Sequence, residues 1–118
     1  NANPEAVKAA IDVLANTNGR RVLVLGAMGE LGSESETLHA EVGRYASERD
    51  IEELWCVGPE CLPAAQAFLG RVSSYSTLAV LIDALDENIE GVDVLLVKGS
   101  RSSGMDAVVA HFNSGGRY

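Results

Sequence analysis

Apolar residues along this chain fall into two patterns. Runs without polar alternation occupy Arg21 to Leu25, Ile51 to Val57 and Val94 to Val97. Short aliphatic runs of this kind read as strands covered on both faces, as in parallel sheets. Between them, apolar residues recur at helical spacing. Ala6, Val7, Ala10, Ile11 and Leu14 make one such face, and Leu38, Val42, Tyr45 and Ala46 a second. Ala65, Phe68 and Leu69 make a shorter one, Leu78, Leu81, Ile82 and Leu85 a fourth, and Met105, Val108, Val109 and Phe112 the last.

Punctuating residues set the boundaries. Asn3 is an N-cap with Pro4 at the first helical position, and Asn18-Gly19 is a stop. Ser33 with Glu36 reads as a capping box, starting a second helix that runs to about Arg49. Gly58-Pro59 ends the Ile51 to Val57 strand, Gly70 ends a short helix from Leu62 to Leu69, and Val72 to Ser74 is a minimal edge strand. Thr77 caps a helix that ends near Glu90-Gly91. Ser103 caps the last helix, with Asp106 in a capping-box position, and Ser114 to Tyr118 reads as a frayed tail. Strands alternating with helices, without repeats or an internal linker, predict a single α/β domain over 1–118. Its architecture is a Rossmann-like three-layer αβα sandwich with a mostly parallel sheet.

Composition narrows the partners. A formal net charge of -8 with no Lys/Arg cluster argues against a nucleic-acid or anionic-membrane surface. No apolar run approaches the roughly 20 residues of a membrane span, and no signal-peptide pattern opens the chain, so a cytoplasmic location is expected. Cys56 and Cys61 form no CxxC or zinc pattern and read as reduced structural thiols. No metal site is expected. The start at Asn1, without an initiator Met, reads as a cut at a domain boundary.

Chemistry concentrates where strands meet loops. Gly26, Gly29 and Gly32 follow a strand and precede a helix, as in a dinucleotide fingerprint, but the spacing departs from GxGxxG. No acid ends the next strand to hold a ribose. Glu30 is the ionisable side chain of that loop; it can meet a ligand amine or a metal-bound water, or be a solvated carboxylate. His39, beside Leu38, ties helix to loop rather than serving a recognisable triad. The richest stretch is Lys98-Gly99-Ser100-Arg101-Ser102-Ser103-Gly104, which leaves a strand tip carrying two cations, hydroxyls and glycines. Such a loop suits a carboxylate or phosphate, against the alternative of a basic surface turn.

Taken in order, Asn1-Ala2-Asn3-Pro4, Leu25 to Gly32, His39 with Val42-Gly43, and Leu96 to Arg101 followed by Met105 resemble one family. It is the C-terminal domain of the Mur ligases, of the MurF type that adds D-alanyl-D-alanine to UDP-N-acetylmuramoyl-tripeptide. The resemblance covers essentially the whole chain. It implies the third domain of a cytoplasmic, ATP- and Mg2+-dependent ligase of peptidoglycan precursor synthesis. It further implies an N-terminal domain that binds the UDP-sugar and a central domain that carries the ATP P-loop and magnesium ligands. ATP phosphorylates the tripeptide carboxylate, and the dipeptide amine attacks the acyl phosphate. By this resemblance Asn1 and Asn3 approach the nucleotide. Lys98, Gly99, Ser100, Arg101 and Ser103 hold the incoming dipeptide, and Glu30 and His39 are accessory motif positions. Ala27 stands where the family usually has an acid. This chain has no P-loop of its own, so it is expected to be inactive in isolation. Two other readings compete: a stand-alone Rossmann-type nucleotide or small-acid binding module, and half of an NAD(P)-dependent oxidoreductase.

Overall fold

Asn3 begins the first helix as its side chain allows, with Oδ1 accepting the Ala6 N–H at 2.8 Å. That helix, α1, spans Pro4–Ala15 and buries Val7, Ile11 and Leu14 on one stripe. Strand β1, Arg21–Leu25, follows and is buried along its whole length. The chain continues through α2 (Ser35–Glu48), β2 (Glu53–Val57), α3 (Leu62–Ala67), β3 (Arg71–Tyr75), α4 (Leu78–Asn88), β4 (Val94–Lys98) and α5 (Asp106–Gly115). The computed structural model describes residues 2–115.

All strand pairs are parallel, in the order β3-β2-β1-β4. Because side chains alternate across a strand, β1 feeds two cores. Leu23 and Leu25 pack with Val7, Ile11, Val42 and Leu54 beneath α1, α2 and α3. Val22 and Val24 pack with Trp55, Leu81, Leu85 and Val108 beneath α4 and α5. The expected three-layer αβα sandwich is therefore the observed one.

Several local expectations differ. The Ser33–Glu36 capping box does not form; a 3-10 turn at Gly32–Glu34 precedes α2, and Ser35 instead turns its hydroxyl and carbonyl to His39. Ser103 does not cap α5, since its hydroxyl donates to the Ser100 carbonyl within a 3-10 turn at Arg101–Ser103. Leu69 does not join the core; it is 89% exposed, because α3 stops at Ala67 and Phe68, in extended backbone, turns inward instead. β4 is half-buried throughout, unlike β1 and β2. Among the described residues it pairs only with β1, and an apolar run does not by itself distinguish a central from an edge strand. The tail reads differently too: α5 continues through Gly115, and 116–118 lie outside the described residues.

Charge at the two ends of the sheet is handled differently. At the amino end, Arg20 forks onto Glu53, which also accepts from Trp55 Nε1 at 2.9 Å. Arg21 pairs with Glu52 at 2.6 Å and reaches the Ala15 and Asp50 carbonyls, tying α1 to the sheet. The Arg21 hydrogen bond holds the Glu52 carboxyl below the usual range despite some desolvation. These cations are consumed by the fold.

The tightest helix contact lies between α2 and α3. A Cβ built on Gly43 would fall 2.2 Å from the Ala64 carbonyl oxygen, so the two backbones touch where a side chain would stand. Gly43→Ala should lower the unfolding free energy by about 2 kcal/mol or more, at the upper end of overpacking costs, because a backbone carbonyl cannot rotate away. Urea titration of wild type and variant checks this.

Candidate functional site

β1 leads through α2 to β2 on one side, while β4 lies on its other side and leads to α5 on the opposite face. The carboxyl ends of β1 and β4 are thus the point at which the winding reverses, and the loops leaving them diverge to opposite faces. Crevices in open α/β sheets form at such points.

Here the two loops are first stitched together. Gly26 N–H donates to the Lys98 carbonyl and Ser100 N–H to the Ala27 carbonyl, both at 2.8 Å. Met105 and Ser103 close over the stitch. A Cβ on Gly26 would meet Met105 Cγ at 2.5 Å, and one on Gly99 would meet Ser103 Oγ at 2.5 Å. Of the glycines that resemble a dinucleotide fingerprint, Gly26 is accounted for by this packing of loop on loop and Gly29 lies against Ser100, whereas Gly32 meets nothing within 4 Å and stands at φ 61°.

His39 fixes the next residues. It is fully buried, and its Nε2 accepts the Met28 N–H at 3.0 Å while Nδ1 lies 2.7 Å from the Ser35 carbonyl. An N–H pointing at Nε2 requires a lone pair there, so Nδ1 carries the proton and the ring is neutral. Cys61 packs beside it and donates its thiol to the Leu25 carbonyl at 3.4 Å. Cys56 lies against Cys61, and that contact together with burial pushes its thiol far above the usual range. Both cysteines are free and buried.

Beyond Met28 the loop turns outward and helps to form a cleft of about 790 Å³. Asn3, Glu30, Ser100, Arg101 and Ser102 line it, with Ala2, Gly29 and Leu31 completing the wall. Four of the residues singled out from sequence therefore share one space. Asn3 uses Oδ1 on its own helix, which leaves its NH2 for the cleft. Ser100 is buried, and its hydroxyl pairs with that of Ser102 at 3.0 Å. Glu30 and Arg101 are exposed, and neither makes an ion pair or side-chain hydrogen bond among the described residues. This is the reverse of the amino end of the sheet, where charges are spent on one another.

The remaining sequence candidates lie elsewhere. Lys98 and Gly99 line a smaller recess of about 270 Å³ with Met105 and Asp106. Ser103 lines another, of about 250 Å³, with Ala27, Glu60 and Thr77. His39 supports the cleft from behind rather than lining it. Asn1 lies outside the described residues. Ser102 and Leu31 were not singled out from sequence, although both sit inside the motifs that were. Their signal is position alone.

His39→Leu should leave the buried Met28 N–H without an acceptor, at a cost of about 1–3 kcal/mol. Faster hydrogen exchange at the Met28 amide, with exchange in β1 itself less affected, is the expected reading.

Residues 1–101 match the family model for the Mur ligase, glutamate ligase domain. The chain is 37% identical over 122 aligned residues to the UDP-N-acetylmuramoyl-tripeptide--D-alanyl-D-alanine ligase of Escherichia coli (strain K12), covering 98% of this chain and 26% of that protein. Among solved structures, a crystal structure of MurF from Acinetobacter baumannii superimposes with a TM-score of 0.82 at 32% identity, covering 93% of this chain and 25% of that one. MurF ligase from Thermotoga maritima, solved in complex with ADP, gives 0.78 at 26% identity, covering 97% of this chain and 26% of that one. The chain thus spans about a quarter of the length of the relatives it matches. With the family model matching residues 1–101 of its 118 and the same fold in those structures, the chain belongs to the Mur ligase family, through its glutamate ligase domain.

Proposed function

We propose that this chain is the C-terminal substrate-binding and closure domain of an ATP-dependent ligase. That ligase joins D-alanyl-D-alanine to UDP-N-acetylmuramoyl-tripeptide in peptidoglycan precursor synthesis in the bacterial cytoplasm. The observation that carries the reading is the unspent cation of Arg101 in the cleft where the sheet reverses its winding. It stands in a chain whose curated relatives are named for that reaction. A guanidinium matches a carboxylate fork to fork, and the incoming dipeptide ends in one. Ser100 is held in place by the Ala27 carbonyl and by Ser102, so the wall beside Arg101 is preorganised.

Chemistry in such a ligase begins elsewhere. Among the described residues no group of three or more His, Cys, Asp or Glu could hold a metal ion. On this reading ATP and Mg2+ are held mainly by the central domain of the ligase. What these residues contribute is binding and exclusion of water. A dipeptide held against Arg101 presents its amine to a carboxylate activated by ATP, and closing the cleft protects that activated group from hydrolysis. No described helix is long and apolar enough to cross a membrane. No observation favours the stand-alone module or the oxidoreductase half.

In the full-length ligase, Arg101→Ala should raise the dipeptide KM about 10–100-fold, the loss of a charge-assisted pair worth about 1.5–3 kcal/mol. Lys98→Ala, outside the cleft, should raise it less. Steady-state kinetics with dipeptide varied checks both. The chain expressed alone should release no phosphate from ATP in the presence of both peptide substrates, and a coupled phosphate assay reads that directly.

A further inference from the structure

The dipeptide reading assigns a partner to Arg101 and none to Glu30. Glu30 has φ 59°, in the left-handed region, and with Asp50 it is one of two non-glycine residues there among those described. Such a conformation costs on the order of 1–3 kcal/mol for a side chain of this kind, and glycine would relieve it. The loop does use glycine two positions on, at Gly32 with φ 61°.

The loop forces the geometry. Gly26 and Ala27 are stitched to the β4 loop, and His39 pins Met28, so the chain has three residues, Gly29 to Leu31, in which to turn outward before the 3-10 turn at Gly32–Glu34. The turn delivers the Glu30 carboxylate to the cleft, where it is the one acidic group among the lining residues, as Arg101 is the one basic group. Asn3 Oδ1 and the Ser100 hydroxyl, the other polar candidates on this wall, are already hydrogen-bonded.

We propose that Glu30 binds the ammonium group of a zwitterionic ligand whose carboxylate is bound by Arg101. On the dipeptide reading, on which this rests, Glu30 is the residue that requires a free amino terminus and sets the direction in which the dipeptide lies. An extended dipeptide separates its ends by about 7 Å at most, so one cleft can meet both charges. A carboxylate facing the amine also disfavours N-blocked analogues by leaving a desolvated charge unpaired.

The test uses the full-length ligase with two probes, D-alanyl-D-alanine as substrate and N-acetyl-D-alanyl-D-alanine as competitive inhibitor. Glu30→Gln should raise the dipeptide KM at least about tenfold while changing the inhibition constant of the acetylated probe less than about twofold. Arg101→Ala should weaken both. Glu30→Gly should show the same kinetic loss as Glu30→Gln with an unfolding midpoint no lower than wild type, which separates loss of the carboxylate from loss of the loop. If Glu30→Gln keeps the wild-type preference for the free amine while Arg101→Ala weakens both probes, the ammonium assignment is overturned and the dipeptide reading stands. If neither substitution moves either constant, both fall.

Discussion

Two backbone hydrogen bonds, Gly26 N–H to the Lys98 carbonyl and Ser100 N–H to the Ala27 carbonyl, hold the ends of β1 and β4 together beyond the sheet. Everything that faces the cleft depends on them. Parallel pairing alone would let the two loops separate at once, because the helices they enter lie on opposite faces. The stitch delays that parting by two residues. It needs close backbone approach, which is why Gly26 and Gly99 meet Met105 and Ser103 where side chains would otherwise stand. Removing a side chain at two positions is the cost of bringing the loops into contact.

From this contact the cleft is assembled by unequal means. On the β4 side, the 3-10 turn at Arg101–Ser103 folds back on Ser100 through its own hydroxyl and N–H bonds. On the β1 side there is little internal bonding, and the loop is instead held from behind by His39. A buried neutral imidazole serves well for this, since it can accept from one backbone group and donate to another at fixed spacing. The histidine is thus structural in its bonds. It determines where the next two residues point.

The contrast between the sheet's ends separates charge that stabilises from charge kept for a ligand. Arg20 and Arg21 are each bound by a carboxylate and by backbone carbonyls. Glu30 and Arg101, opposite in sign and lining one cleft, make no ion pair among the described residues. These two charges stand unused at the point where α/β sheets open crevices, and the proposed ligand is one that carries both signs.

Much of the fold was legible in the linear pattern, because burial imposes a period on the chain. Aliphatic runs marked β1 and β2, helical spacing marked α1, α2 and α4, and Asn3 and Thr77 cap as their side chains allow. The motifs around Glu30 and Arg101 were legible too, as unusual residues at strand ends. Edge position, capping partners and grouping were not. The run Val94 to Val97 reads as a strand covered on both faces, yet β4 is only half-buried and lies at an edge of the described sheet, since strand order is decided by crossovers and not by the strand's own residues. Ser33 and Ser103 carry cap signatures, but tertiary contacts at the loop stitch and at His39 settle how their turns close. Lys98 and Arg101 are three residues apart and line different spaces, while Asn3, Glu30 and Arg101, far apart in the chain, line one. The residue types that can do the chemistry were determined by sequence alone. Which of them act together was decided by the reversal of winding between β1 and β4, because only a sheet edge in three dimensions brings those loops to one place.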